Sequence, residues 1–138
     1  RIALALPFFR SGLTKWDGPL DLSASTPWLF ANEYKIHYPS DLSQFWVLDQ
    51  AIDMPYPEIA GWLSAFGEVL LPIALVIGFA TRLSALGLLG MALVIFLVYP
   101  SSWLAETLPW SAMALALVAY GPGALSFDAL IKRSWRNR

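Results

Sequence analysis

Apolar residues in this chain fall in long unbroken blocks rather than alternating with polar ones. From Ile59 to Ala80 the sequence reads IAGWLSAFGEVLLPIALVIGFA, with Glu68 as its one charge. Leu83 to Tyr99 carries no charge at all and is bounded by Arg82 and Pro100. A third block runs from Leu108 to Tyr120 and can extend to Leu125 through GPGAL. The opening RIALALPFFRSGL reads as the last two-thirds of a fourth block; the first residue is Arg1 and not Met, so a longer natural N-terminus is expected. Crossing the hydrocarbon core takes about 20 apolar residues in a helix. The pattern predicts helices over about 1–14, 58–80, 83–100 and 107–123. Only Thr81 lies between the Ile59–Ala80 block and Arg82, which requires a tight antiparallel hairpin there. The expected fold is an all-α membrane protein, a four-transmembrane-helix bundle forming a single domain over residues 1–138.

Two regions depart from this pattern. The segment from about 16 to 57, between the first two helices, is rich in Pro, Asp and Ser and punctuated by STP, YPS and MPYP, which are turn signals. Within it, PWLFANEYKIHY (Pro27 to Tyr38) predicts a short aromatic helix, with Thr26 as N-cap and Pro27 at its first position. Such a helix would lie along the membrane surface or fold over the mouth of the bundle. Residues from about 124 to 138 form a polar tail.

Composition supports the membrane reading. Hydrophobic residues make up 57% of the 138 and charged ones 14%, with a mean hydropathy of +0.56. A soluble domain of this size needs more charge to cover its core. There is no cysteine, which excludes disulfides and thiolate ligands. One His and 3 Met argue against a copper or haem site built by this chain alone.

Charge then predicts orientation. With four spans, Arg1, Arg82, Lys132, Arg133, Arg136 and Arg138 share one side with Asp128 as its only acid. Lys15 and Lys35 fall on the other side with Asp17, Asp21, Glu33, Asp41, Asp49, Asp53, Glu58 and Glu106. The positive-inside rule therefore predicts a multi-pass protein of the bacterial inner membrane, both termini cytoplasmic and the 16–57 segment periplasmic. Trp16, Trp62, Trp103, Trp110 and Trp135 fall near predicted ends, where amphipathic rings favour the interface.

Arg10 and Glu68 are the charges that no loop accommodates. Glu68 lies roughly 13–16 Å in from one end of its span. Leaving either charge alone in lipid costs at least about 2.5–3.5 kcal/mol. An Arg10–Glu68 pair is one solution, and a neutral Glu68 hydrogen-bonded to a hydroxyl is another; both would fix helix packing. A third is a proton-handling or ligand-binding carboxylate, in a pocket opened where Pro72 removes a backbone donor. Gly87, Gly90 and Ala92 allow close helix approach.

Weaker signals lie elsewhere. Glu33 and His37 are four residues apart, which on a helix puts them on one face, at a possible interfacial site. Two ligands are too few for zinc, so no metal is expected. A surface Glu–His contact is the simpler use, and His37 could alternatively meet a quinone headgroup. Lys132, Arg133, Arg136 and Arg138 read as an anchor to anionic lipid, not a nucleic-acid site.

Three stretches together resemble the DoxX family of small bacterial membrane proteins, in a proteobacterial branch that the insert LFANEYK suggests. They are FFRSGLTKWDG (Phe8 to Gly18), GEVLLPIALVIGFATRLSALGLLGM (Gly67 to Met91) and YGPGALSFDALI (Tyr120 to Ile131). The resemblance implies a four-helix membrane bundle and carries over Arg10, Lys15, Glu68 and Arg82, together with Gly121, Gly123, Ser126 and Asp128. It assigns none of them a catalytic role, and the simplest use of Ser126 and Asp128 is to cap a short helix, FDALIKR, after the Gly-Pro-Gly break. Some members are named for association with a terminal quinol oxidase, a thiosulfate:quinone oxidoreductase or a membrane redox-stress complex. The leading expectation is thus an accessory subunit of a quinone-linked redox complex, hetero-oligomeric with redox-active membrane subunits and binding no cofactor by itself. The alternative is an enzyme or carrier that binds a quinone or another lipophilic molecule near Glu68. A transporter ranks last, because four helices are few and no inverted repeat is visible.

Overall fold

The computed structural model describes residues 1–18, 20–40, 48–121, 123, 126–128 and 133–134. Five α-helices carry most of it: α1 (Ile2–Leu13), α2 (Ser25–Asn32), α3 (Pro57–Ile77), α4 (Thr81–Val98) and α5 (Leu108–Tyr120). Strands β1 (Trp16–Gly18) and β2 (Asp21–Leu22) form one antiparallel hairpin, and β3 (Lys35–Tyr38) pairs antiparallel with β4 (Gln50–Asp53). The 16–57 segment is therefore built partly of strands, and the all-α expectation is corrected there. Lys35 pairs with Asp53 and Ile36 with Ile52, placing β-prone KIHY opposite QAID.

α3 and α4 are long and apolar enough to cross a membrane; α1 is shorter. Pro57 opens α3 at a position where a missing N–H costs nothing, and Glu58 suits the positive end of the helix dipole. Gly78, at φ 79°, closes the helix in the left-handed conformation that glycine adopts freely. Residues 78–80 then reverse the chain. α3 and α4 run antiparallel in close contact: a Cβ on Gly87 would lie 2.7 Å from Leu71 Cδ1, and one on Gly67 would meet Met91. Gly90, by contrast, faces open space. Arg82 sits in the first turn of α4, exposed, and not in the reversal itself.

The core lies where α1, α3, α4 and α5 meet and includes Leu4, Phe8, Leu75, Leu88, Ala92 and Ala114. Trp110 packs into it, 5.1 Å from the Phe8 ring, so this tryptophan serves the helix interface. α5 follows a 3-10 turn (Pro100–Ser102) and a π-helical turn (Trp103–Thr107). It ends at Tyr120, where Gly121 takes φ 81°.

At about 1.5 Å per residue, α1 is roughly 18 Å long and α3 roughly 31 Å. α1 therefore covers only part of α3, the part nearer Gly78. The other part is covered by α2, whose Thr26, Pro27 and Phe30 lie against Gly61. A broken element, α1 then hairpin then α2, thus runs along one α3 helix.

α2 spans Ser25–Asn32 with Ala24 as N-cap, and Thr26 makes no capping bond. The expected helix to Tyr38 stops at Asn32, and residues 35–38 pair as a strand instead. Glu33 and His37 consequently do not share a helix face. Lys132, Arg136, Arg138, Asp41 and Trp135 lie outside the described residues.

Candidate functional site: a buried carboxylate clasp

Glu68 lies midway along α3 and is buried. Its position on the inward face follows from helical spacing with Gly61, Ala65, Pro72 and Leu75, which are buried too. Its partner is Lys15. The Lys15 ammonium donates to Glu68 Oε2 at 2.5 Å, and the Ser64 hydroxyl, one turn earlier on α3, donates to Oε1 at 2.7 Å. The same ammonium lies 3.2 Å from Ser11 Oγ. Both carboxylate oxygens are thus engaged by donors from the chain itself.

The expected Arg10–Glu68 pair does not form; Arg10 is exposed. The reason is geometric. Gly12, two residues on, is the point where α1 touches α3, and Arg10 leaves the helix on another side. Beyond Leu13 the chain leaves α1, and Lys15 reaches back toward the carboxylate. A Cβ on Gly12 would stand 2.9 Å from the Glu68 carbonyl carbon, carbonyl oxygen and Cβ. That carbonyl would ordinarily accept from the residue four further on, but Pro72 has no N–H to give. Proline and glycine act together: one frees the carbonyl, the other lets α1 settle against it.

Lys15 is also a node for the main chain. Its carbonyl accepts from the Ser23 N–H at 2.9 Å and lies 3.5 Å from the Thr26 hydroxyl. One residue therefore ties the α3 carboxylate to the start of α2.

Above the clasp stand aromatic rings. Trp16 packs edge-on against Trp62 and Phe66, at 5.9 and 5.0 Å between centroids. Tyr34 lies edge-on between Phe30 at 4.8 Å and Tyr99 at 5.7 Å. Burial, then the neighbouring Tyr99 and the negative charge of Glu68, push the Tyr34 phenol up to about 12. It is a neutral hydroxyl at any physiological pH. Nothing in the sequence singles out Tyr34 or Tyr99, whereas Ser64 could have been found as the hydroxyl one helical turn from Glu68.

The pocket expected beside Pro72 takes a different form. Pro72 lines a groove of about 250 Å³ between α1 and α3, with Ile2, Ala5, Leu6 and Phe9 facing Ile73, Val76 and Ile77. It is wholly apolar, and neither Glu68 nor Lys15 lines it.

The remaining sequence candidates serve local structure. His37 Nδ1 lies 3.0 Å from the Leu97 carbonyl, which can only accept, so this nitrogen carries the proton and caps the last turn of α4. Glu33 is exposed at the end of α2. Among the described residues, no group of three His, Asp or Glu side chains could hold a metal ion.

Ser126 directly precedes the helical residues Phe127 and Asp128, where the expected short helix begins, and both side chains also make contacts outside it. The Ser126 hydroxyl donates to the Gly123 carbonyl at 3.0 Å. Asp128 reaches the start of α4: it accepts from the N–H groups of Ala80 at 2.9 Å and Thr81 at 2.8 Å, while its own N–H donates to the Gly78 carbonyl at 3.0 Å. The Thr81 amide leads the interactions that hold its carboxyl below the usual range, with Ala80 and the positive Arg1 adding to it. Gly121 and Gly123, at φ 81° and 78°, turn the chain toward this contact, and the Arg82 guanidinium lies close to Gly121.

The family model for DoxX matches residues 1–100, which include α1 to α4 and the whole Lys15–Glu68 clasp. The stretch Tyr120 to Ile131 lies beyond the matched residues. No curated protein and no solved structure matches this chain.

Proposed function

Because this chain belongs to the DoxX family, a family of membrane proteins, we propose that it acts as a non-catalytic accessory subunit of a quinone-linked redox assembly, in the inner membrane of a proteobacterium. The observation that carries this reading is the state of Glu68. Intramembrane carboxylates are functional candidates by default. Here the carboxylate is engaged by Lys15 and Ser64 and packed against Gly12, an arrangement suited to holding α1, α2 and α3 together. A rigid bundle with apolar outer faces is what a scaffold needs to present to neighbouring membrane subunits.

The same proposal includes four spans, with α1, α3, α4 and α5 as the crossing elements, and both termini in the cytoplasm. Its support is the exposed Arg82 in the first turn of α4, together with the Lys and Arg richness of the C-terminal sequence. Impermeant labelling of terminal tags in intact cells tests it.

The functional test is purification from native membranes in a mild detergent, with optical spectra and mass spectrometry of what accompanies the chain. Co-purification with cytochrome- or flavin-bearing subunits is expected. Recovery as a stable species without partners would count against the reading.

A second reading has its own observation in favour. The neutral Tyr34 hydroxyl, beside Tyr99, lies within the field of Glu68 and offers a polar group to a quinone headgroup entering from the lipid. On this reading the protein binds a quinone or similar lipophilic molecule. Titration of the purified chain with a short-chain quinone should then show saturable binding that Glu68→Gln abolishes; unchanged binding in that variant ends the proposal.

A further inference from the structure

The β1–β2 hairpin and α2 turn apolar side chains away from the core. Leu20, at the hairpin tip, is 74% exposed and held in a left-handed conformation at φ 63°, which a leucine rarely adopts. Trp28, on α2, is 56% exposed. This surface is continuous with that of a membrane-length helix. Trp16 packs edge-on against Trp62 and Phe66, and α2 lies against Gly61, so the unit flanks the first half of α3, whose Ile59 and Leu63 are exposed.

We infer that the hairpin and α2 form an interfacial lipid-binding surface, with Leu20 and Trp28 immersed in the same leaflet as the Pro57 half of α3. The inference rests on the reading of α3 as a span. Two carboxylates set its depth: Asp17 and Asp21 are exposed on the strands of the hairpin, and charge is too costly in hydrocarbon. The unit therefore lies at the boundary of headgroups and acyl chains, where tryptophan is favoured and amphipathic elements bind. β3 and β4 are of another character. β4 is exposed along its whole length, and the exposed Lys35–Asp53 pair at 3.4 Å crosses the two strands, as on a wet surface. The described part of the 16–57 segment is thus divided: the hairpin and α2 bind lipid, and the β3–β4 pair faces water. Lys15, whose carbonyl holds Ser23 and Thr26 while its ammonium holds Glu68, joins the lipid-binding unit to the buried clasp.

The chain has no cysteine, which makes the test direct. Leu20→Cys, Trp28→Cys, Leu63→Cys and Ile52→Cys are each spin-labelled in the full chain, reconstituted in phosphatidylethanolamine–phosphatidylglycerol vesicles. Relaxation by oxygen, which partitions into lipid, is compared with relaxation by a water-soluble nickel chelate. Labels at 20 and 28 should favour oxygen over the chelate several-fold, as at 63, while the label at 52 should show the reverse. Labels at 20 and 28 that behave as at 52 would overturn the inference and leave the span standing; this is also the result expected if a protein partner covers that face in the cell. A label at 63 that favours the chelate would overturn the span and the inference together.

Discussion

Glu68 and Asp128 are both carboxylates held by groups far away in sequence, and the chain satisfies them in opposite ways. Glu68, in the middle of a helix, meets a charged side chain and a hydroxyl. Asp128, near the C-terminal end of the chain, meets backbone N–H groups at the start of α4. The first is a pair that must remain a pair: burying one charge without the other is expensive, while a matched apolar replacement of both can be neutral. The second is a cap, worth less, but drawing on donors that α4 leaves free at its N-terminus. Depth explains the difference. Deep in the bundle only another side chain can reach the carboxylate, whereas at a helix end the backbone itself offers donors.

The largest effect is expected from splitting the pair. Lys15→Met should lower stability by about 3–5 kcal/mol, measured by unfolding in detergent, because Glu68 is left buried with no cation. Lys15→Met combined with Glu68→Met should recover most of that loss. A double variant as unstable as the single one would mean that the clasp matters for packing rather than charge.

Next comes the contact that lets the pair form. Gly12→Ala places a methyl 2.9 Å from the Glu68 carbonyl, backbone that cannot swing aside. A loss of about 1–3 kcal/mol is expected from this overpacking, with α1 displaced from α3. Distances between labels on the two helices would report the displacement; unaltered distances and stability would contradict the close approach.

Asp128→Ala removes the cap of α4 and should cost about 1 kcal/mol. The cap is also acid-sensitive. Its folded carboxyl titrates below the ordinary value, so its contribution is full above the unfolded pKa and disappears as pH falls through the folded one. Wild-type stability should therefore decline on acidification below about pH 4, the ordinary carboxylate range, and Asp128→Asn should flatten that limb. A limb of equal steepness in the variant would assign the acid sensitivity to another group.

The smallest effect concerns Tyr34. A phenol whose folded value is raised to about 12 stabilises fully below the unfolded value, near 10, and progressively less as pH rises through the interval. Tyr34→Phe should change little at neutral pH and remove the decline between about pH 10 and 12. An alkaline titration followed by tyrosinate absorbance checks this directly.

The sequence made much of the architecture legible. Unbroken apolar blocks can only be helices where water is scarce, so α3 and α4 could be read to within a few residues, although their reversal, expected at Arg82, falls at residues 78–80. The mid-helix Glu68 announced a need for shelter. The family resemblance named Lys15 beside Arg10 and Glu68 as a buried charge, but hydropathy alone did not choose between the two cations. Arg10 lies inside an apolar run and attracts attention, while Lys15 sits among turn residues and looks like a loop charge; the choice depends on where α1 ends against α3. The segment KIHY was misread as helix for a related reason. Its strand partner QAID begins twelve positions after Tyr38, and local propensity does not see a non-local ladder.

What the sequence determined by itself is therefore whatever hydropathy and backbone chemistry fix over short range: which blocks are helical, where glycine and proline end them, and that the chain belongs in a membrane. Tertiary structure alone decided that Lys15 answers Glu68, that α2 completes the cover of α3 where α1 stops, and that Asp128 caps α4. Each of these contacts joins residues remote along the chain. Only packing, with the demand that buried polar groups be satisfied, selects among the partners that the sequence allows.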